Sequence, residues 1–153
     1  VTHNTDNPGS KEASTSASVD ILNIPPVCDA ATPSQDMLWP PLHQFVPIEV
    51  LGVTDPNGDA TTINIDSIYQ DEVVNGDNDG NTYPDGQGVG TSVAEIRAER
   101  DGLANGRYYH IYFTADDGYG GTCSGEVLVG VPISKGKDYL PVDDGALYDS
   151  TVP

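Results

Sequence analysis

The sequence predicts an all-β protein: an antiparallel β-sandwich of immunoglobulin-like or jelly-roll topology with extended N- and C-terminal arms. Two observations carry this prediction. Apolar and polar residues alternate in six short segments, whereas no segment keeps an uninterrupted helical period. The chain also contains 17 glycines and 12 prolines, which indicates many turns. Short strands separated by turn residues are typical of β-sandwiches.

The strand predictions follow this alternation along the chain. The first predicted strand is 18–24, where Val19 and Ile21 alternate with polar neighbours until two prolines end the pattern. The clearest is 107–115, whose residues up to Phe113 alternate between a core-facing and a solvent-facing set. The other predicted strands are 45–53, 61–69, 92–100 and 125–131. The third of these alternates weakly and is also compatible with a short helix.

A chain of 153 residues corresponds to one domain with room for a substantial core. We expect an N-terminal arm at 1–25 that contains a candidate donor strand, a sandwich at 26–132 and an extended C-terminal arm at 133–153. The N-terminal arm has low complexity up to residue 18 and offers little apolar surface, so alone it would be disordered. The expected anchors of the C-terminal arm are Tyr139, Leu140, Leu147 and Tyr148.

The charge balance excludes several kinds of partner. The chain has 24 acidic and 6 basic residues, for a formal net charge of -18. This argues against nucleic acid, because phosphate binding needs clustered Lys and Arg, and against adhesion to anionic lipid. No apolar run is long enough for a membrane helix, so no membrane insertion is expected. The chain begins with Val1 rather than Met, which predicts a processed protein that is secreted or held at the cell surface.

Two cysteines, Cys28 and Cys123, are expected to form a disulfide in such an exported protein. No CxxC or Cys/His spacing indicates zinc. Closing a loop of this length would stabilise the fold by about 4–5 kcal/mol on the chain-entropy model. The alternative is two separate buried thiols.

Four acidic loops are the candidate metal sites, and Ca²⁺ is the expected cofactor. Calcium takes six to eight oxygen ligands, and alternate positions of a tight turn can direct several oxygens at one centre. The sequence DNDGN at 77–81 has this spacing, although Gly88 stands where an EF-hand has its bidentate Glu. The alternative is a solvated loop rich in turn residues. The candidate ligands are Asp71, Glu72, Asp77, Asp79, Asn81, Asp85, Asp116, Asp117, Asp55, Asn57, Asp59, Glu99 and Asp101.

If the strands form a meander, successive loops alternate between the two ends of the sandwich. The second loop (71–85) would then meet the fourth, with Asp116 and Asp117, at one end. The first loop (55–59) would meet the third (99–106) at the other end. Greek-key crossovers would change this arrangement. Without cations, such clusters would repel each other, so chelation is expected to destabilise the fold.

A series of spaced motifs resembles a repeat of secreted bacterial proteins. The repeat has the pattern LWPPNH, QDE, RAER, NGR-Y and FTA-D-GG-C-G-V. Here the motifs are LWPPLH at 38–43, QDE at 70–72, RAER at 97–100, NGR at 105–107, FTAD at 113–116 and CSG at 123–125. The resemblance runs from about residue 26 to residue 132. Two departures are Leu42, where the pattern usually has Asn, and Tyr83, which is often Cys in the repeat.

The resemblance implies a calcium-stabilised sandwich like those of immunoglobulins and cadherins, often one module of a larger surface protein. It implies no enzymatic activity. The sequence agrees, because it contains no G-x-S-x-G elbow, H-E-x-x-H pair or Gly-rich phosphate loop. Arg97, Arg100 and Arg107 are expected to pair with nearby carboxylates and fix the loops rather than bind a ligand.

Three functions remain open. The first is a structural subunit of an extracellular filament or surface layer, a homopolymer in which the 18–24 strand completes the sheet of the next copy. Its assembly residues would be Val19, Ile21, Leu22 and Ile24. The second is a carbohydrate-binding or adhesin module. Its platform for glycans would be Trp39, Tyr83, Tyr108, Tyr112 and Tyr119. The third is an inert spacer within a longer surface protein.

Overall fold

The computed structural model describes Ser14 and residues 16–153, so part of the predicted N-terminal arm lies outside the described residues. Within these residues there is no α-helix, and one short 3-10 helix spans Lys137–Tyr139. The eight strands are β1 (Thr32–Pro33), β2 (Phe45–Leu51), β3 (Thr62–Gln70), β4 (Gly86–Gln87), β5 (Val93–Arg97), β6 (Arg107–Asp116), β7 (Thr122–Val131) and β8 (Tyr148–Asp149).

The strands form two four-stranded antiparallel sheets. One sheet has the order β1-β2-β5-β4 and the other the order β7-β6-β3-β8. Ile48 of β2 and Ile96 of β5 meet Ile65 of β3 and Phe113 of β6 in one buried cluster between the sheets. The prediction of an all-β antiparallel sandwich is therefore confirmed.

Alternation along each strand generates this core. In β6, Tyr109, Ile111 and Phe113 are fully buried, as the period of two requires for one face of a strand. In β7, Val127 and Val129 occupy the equivalent inward positions opposite them. The last five predicted strands are confirmed, with shifts of up to three residues at their ends. The segment that was also compatible with a helix forms strand β5.

The first predicted strand is not a strand in the single chain. Residues 18–24 have no assigned secondary structure, and Val19, Ile21 and Leu22 are each at least 80% exposed. A strand needs a neighbour that accepts its backbone hydrogen bonds, and the described part of the chain offers this segment none. The alternation of apolar and polar residues in this segment therefore predicted a strand, but in the single chain the segment pairs with no other strand.

The C-terminal segment completes one edge of the sandwich. Strand β8 pairs with β3, and the Ser150 N–H donates to the Ile68 carbonyl at 2.9 Å. The Ser150 carbonyl accepts from the N–H groups of Asp85 and Gly86 in the other sheet. The predicted anchors Tyr139, Leu140, Leu147 and Tyr148 are each at least 40% exposed. Backbone bonds and the buried ring of Pro141 hold this segment instead.

The disulfide joins Cys28 to Cys123, with their Cα atoms 5.9 Å apart. The prediction of a bond rather than two free thiols is confirmed. Cys28 lies in the segment that leads into the first sheet, and Cys123 is the second residue of β7 in the other. The bond therefore ties the entry of the chain to the start of an edge strand.

Candidate functional site

The most polar part of the interior surrounds Arg107, the first residue of β6, whose side chain is fully buried. Its Nε donates to Glu72 Oε2 at 2.9 Å, and its Nη1 donates to Asp85 Oδ2 at 2.7 Å. Nη1 also lies 3.1 Å from the Tyr109 hydroxyl oxygen. A buried guanidinium requires such partners, because an isolated buried charge is very costly.

Glu99 lies near the same guanidinium nitrogen as Asp85, with its Oε1 3.9 Å from Arg107 Nη1, and is itself fully buried. Its Oε2 accepts a hydrogen bond from the Thr82 hydroxyl and lies 3.0 Å from His43 Nδ1. Glu99 therefore connects the second and third acidic loops to the segment before β2.

Arg97, at the end of β5, supplies a second cation. Its Nε and Nη2 both donate to the Pro84 carbonyl, and Nη1 donates to the His43 carbonyl. Its Nε lies 3.6 Å from Asp85 Oδ1, and its guanidinium stacks 4.3 Å from the centre of the Phe45 ring. We call the whole set the Arg107 cluster: Glu72, Asp79, Asp85, Arg97, Glu99 and Arg107. The expectation that Arg97 and Arg107 pair with carboxylates and fix loops agrees with these contacts. Arg100, for which the same was expected, instead donates to the backbone carbonyls of Pro132, Asp101 and Ile133.

Burial dominates the electrostatics of this cluster. Desolvation raises the pKa of the Asp85 carboxyl from 3.8 to about 6, against the opposing effects of Arg107 and of the Gln70 side-chain amide. The nearby charge of Glu99 raises it further. The cluster contains four acidic side chains and two arginines, and burial opposes the ionisation of Asp85.

The cluster has more hydrogen-bonding capacity than its direct contacts use. Several buried polar atoms of the cluster and of the adjoining Gln70 side chain have no hydrogen-bond partner among the described residues, although buried polar groups are usually satisfied. These atoms are Gln70 Oε1, Glu72 Oε1, Asp85 Oδ1, Glu99 Oε1 and Arg107 Nη2.

The residues of the 77–81 loop, which was the strongest candidate for a calcium site, differ in their burial. Asp77 and Asn81 are exposed, whereas Asp79 is buried. Asp79 Oδ2 accepts from the Gly76 N–H at 2.6 Å and Oδ1 accepts from the Asn81 N–H at 3.0 Å. Asp79 thus stabilises the turn of its own loop, as short acidic side chains commonly do.

The predicted grouping of the loops is wrong. The second loop meets the third, because the Asp101 N–H donates to Glu72 Oε2 at 2.8 Å. The first and fourth loops lie at the other end, where the segment before Pro25 contacts Asn57 and Asp117. The meander assumption failed because the unpredicted strand β4 leads the chain back along the sandwich before β5 begins, so β5 ends at the same end as the second loop.

At that other end the carboxylates also fix turns. Asp55 Oδ1 accepts from the backbone N–H groups of Asn57 and Asp59, and Asp116 Oδ1 accepts from that of Gly118. These are Asx turns, in which a carboxylate substitutes for a backbone acceptor. Of the predicted ligands at this end, Asp55, Asn57 and Asp116 therefore already accept bonds from backbone N–H groups.

Asp117 holds the fourth loop together. Its Oδ1 accepts from the N–H groups of Tyr119 and Gly121, and its Oδ2 accepts from the Asn23 side-chain amide at 2.8 Å. Desolvation alone would raise the pKa of Asp117, but these hydrogen bonds outweigh it and hold the pKa below its usual value. A carboxylate bound in this way stabilises the loop in its ionised form.

Across the described residues, no group of three or more His, Cys, Asp or Glu side chains is arranged to hold a metal ion. The nearest feature is a cavity of about 200 Å³ beside the Arg107 cluster, lined by the carboxylates of Asp71, Glu72, Asp79 and Asp101. These oxygens are the donors that Ca²⁺ prefers. Their arrangement fits less well, since both oxygens of Asp71 and of Asp79 accept backbone N–H bonds.

The predicted assembly residues lie on an exposed segment at the end of the sandwich that carries the first and fourth loops. Val19, Ile21 and Leu22 are 83%, 80% and 84% exposed, and Ile24 is 47% exposed. The Ile24 N–H donates to Asn57 Oδ1 at 2.7 Å, which holds the base of the segment against the first loop. The apolar side chains before it are exposed, and Ile21 lines a cavity together with Asn57 and Tyr119.

The aromatic residues of the proposed glycan platform are not all together. Tyr108 is the second residue of β6, whereas Tyr119 follows the last residue of that ten-residue strand. Tyr112 packs edge to face against Tyr69, with the ring centres 6.3 Å apart. Tyr108 and Tyr119 therefore lie at opposite ends of the sandwich and do not share one platform.

Sequence reasoning did not identify Gln70, His43 and Thr82 as members of the buried network. A signal for the buried position of Arg107 existed, because it shares the inward phase of β6 with Tyr109 and Ile111. Gln70 likewise follows Ile68 at a spacing of two in β3. A polar residue at an inward-facing position of a strand therefore indicates a buried polar network.

No family model, no curated protein and no solved structure matches this chain. The resemblance to a repeat of secreted bacterial proteins therefore stays a prediction. In the described part of the chain, no helix is long and apolar enough to cross a membrane.

Proposed function

We propose that the protein is a non-enzymatic structural subunit of an extracellular filament or surface layer, assembled head to tail by strand donation. The observation that carries the proposal is the segment 18–24, which has the alternation of a strand but no strand partner within the described chain. Its apolar side chains are exposed at one end of the sandwich. A second copy is the partner that this sequence is best suited to meet.

The energetics favour such a partner. Fully burying one Val, Leu or Ile side chain contributes about 1.5–3 kcal/mol. Val19, Ile21 and Leu22 leave this contribution unused in the single chain. Added backbone hydrogen bonds would accompany the burial if the segment joined a sheet edge. A contact between different surfaces of successive copies does not close on itself and therefore extends into a fibre.

The polar interior supports a structural role. The carboxylates of the Arg107 cluster hold Arg107, the Thr82 hydroxyl and backbone groups, and the other acidic loops are built from Asx turns. These contacts make the ends of the sandwich rigid. A polymer subunit that carries mechanical load needs rigid ends where its neighbours attach.

The test compares two variants that add the same charge. Ile21→Asp places a carboxylate on the proposed donor strand, whereas Ser16→Asp places one on an exposed polar residue before it. We expect Ile21→Asp to abolish assembly measured by sedimentation velocity, because a buried unpaired carboxylate is costly. Ser16→Asp should assemble like the unmodified chain. Equal assembly by both variants would refute strand donation.

A further inference from the structure

His110 is buried although it faces outward from strand β6. Tyr109 and Ile111 on either side of it point into the core, so the period of two places the His110 side chain on the opposite face of the sheet. Tyr108 and Tyr112, which share that outer face, are partly exposed, whereas His110 is 6% exposed. Another part of the chain therefore covers the imidazole ring.

Two carboxylates from different parts of the chain enclose this ring. Its Nδ1 lies 2.6 Å from Glu126 Oε1 of strand β7, and its Nε2 lies 2.9 Å from Asp143 Oδ1 of the C-terminal segment. An ionised carboxylate can only accept hydrogen bonds, and a neutral imidazole carries one N–H where the imidazolium ion carries two. Both contacts are therefore hydrogen bonds only when the ring is protonated.

The groups that face the ring are acidic or phenolic. They are Glu126 from β7, Asp143 from the C-terminal segment, Tyr69 from β3, and Tyr108 and Tyr112 from β6, with Asp36 and Asp71 beyond Tyr108. The ion pairs of Glu126 and Asp143 among the described side chains are both with His110. Protonation of His110 therefore decides whether these two carboxylates have a cationic partner.

The segment that carries Asp143 is held by separate contacts rather than by a ladder. Residues 140–147 belong to no helix or strand. Three of their backbone N–H groups make single bonds to other parts of the chain: Val142 to the Asn105 carbonyl, Asp144 to Asp71 Oδ2 and Leu147 to the Gln70 carbonyl. Asp143 Oδ1 also accepts from the Gly145 N–H at 2.8 Å, so the contact with His110 positions the turn as well. Segments with few cooperative bonds open more easily than the core strands do.

We propose that His110 is a pH-sensitive latch that holds the C-terminal segment 141–147 against the outer face of β6. The protonated ring bonds to both carboxylates. When the proton leaves to solvent, one carboxylate faces a ring lone pair instead of an N–H. The contact to Glu126 is the shorter of the two, so we expect the remaining proton on Nδ1 and the loss of the bond to Asp143.

The direction of the pH effect follows from this geometry. The folded contacts need the protonated ring, so their contribution is complete at acidic pH, while the carboxylates are still ionised, and is lost as the pH rises. Histidine is the side chain that commonly changes its charge between about pH 5 and 8. The segment should therefore be closed near pH 5 and open more often near pH 8.

The test replaces one carboxylate by its uncharged analogue. In Glu126→Gln a neutral ring can keep both contacts, because the new amide donates to Nδ1 while the Nε2–H still donates to Asp143. The control is Glu49→Gln, which removes the same charge from an exposed position of β2 in the other sheet. Both variants retain His110 and the whole C-terminal segment.

Hydrogen–deuterium exchange followed by mass spectrometry measures the opening of the segment. Exchange rates of peptides that cover 141–148 are divided by those of an unstructured chain at the same pH, so that the ratio reports structure alone. We expect protection of this segment to fall by about tenfold or more from pH 5 to pH 8, the effect of losing one hydrogen bond between charged groups. Glu49→Gln should show the same fall, whereas Glu126→Gln should be equally protected at both pH values.

Peptides that cover 109–113 in β6 should stay protected throughout, which shows that the variants are folded and that the change is local. Equal protection of 141–148 at pH 5 and pH 8 in the unmodified chain would overturn the latch. A fall as large in Glu126→Gln as in the unmodified chain would overturn it too, because the neutral ring would then not be the cause. The experiment requires no assembly, so its outcome is independent of the proposed function.

Discussion

At the scale of single residues, Arg107 organises the acidic loops at one end of the sandwich. It contacts Glu72 from the second loop and Asp85 near β4, and it lies 3.9 Å from Glu99 of the third. Paired carboxylates in these loops suggested metal ligands, but here a buried guanidinium holds them. The cation that pairs with these carboxylates is thus an arginine side chain of the same protein.

Arg107→Met should destabilise the fold strongly. The substitution leaves Asp85 and Glu99 buried with only their longer contacts to Arg97, and breaking a buried ion pair from one side typically costs about 3–5 kcal/mol. Chemical denaturation would measure the loss in free energy of unfolding. Lys135→Met is the control, because Lys135 is exposed and its loss should change stability little. Equal stabilities of both variants would contradict the structural role of Arg107.

The pH dependence of stability should carry a signature of Asp85. Its folded pKa of about 6 lies above the usual value of 3.8, so the folded state binds this proton more tightly than the unfolded chain does. This group alone makes stability rise as the pH falls from about 7 towards about 4. Asp85→Asn should remove that slope, whereas Asp77→Asn, on the exposed loop, should keep it. A slope as steep in Asp85→Asn as in the unmodified chain would contradict the burial of this carboxyl.

At the scale of elements, the length of the alternating run decided what the sequence could predict. Strands β2, β3, β5, β6 and β7 alternate over five to ten residues, which is enough for a clear period. Strands β1, β4 and β8 have two residues each and exist only because a neighbouring strand accepts their backbone bonds. Such pairing is a tertiary property that no local pattern encodes.

The segment 18–24 is the opposite case, a local pattern without its tertiary partner. The same alternation that identified β6 is present, but the described chain supplies no edge beside it. The arrangement of the acidic loops could not be predicted for a similar reason. It depends on β4, a two-residue strand that returns the chain along the sandwich before β5 and that no local pattern encodes.

At the scale of the whole molecule, the net charge of -18 is the main obstacle to a polymer of this chain. Like-charged copies repel, and the repulsion weakens with salt or bound cations. We propose that Ca²⁺ contributes here, with the cavity lined by Asp71, Glu72, Asp79 and Asp101 as the site with the most suitable donors. The binding and spacer hypotheses remain alternatives that a monomeric chain would favour.

Calcium should raise the melting temperature, and EDTA should reverse the increase. The expected cause is binding to the folded state, which stabilises it by mass action. Asp101→Asn removes one lining carboxylate and should reduce the calcium-dependent shift, whereas Asp149→Asn, outside this cavity, should leave the shift unchanged. Magnesium at the same concentration controls for ionic strength. A melting temperature that is the same in calcium and EDTA would contradict a structural calcium ion.

The central claim is that copies of this chain join through their own N-terminal segments. Negative-stain electron microscopy of the purified chain in millimolar calcium tests it most directly. We predict thin, regular fibres with a repeat close to the length of one sandwich, and single particles for Ile21→Asp under the same conditions. Single globular particles of the unmodified chain, or fibres of Ile21→Asp indistinguishable from those of the unmodified chain, would contradict the claim.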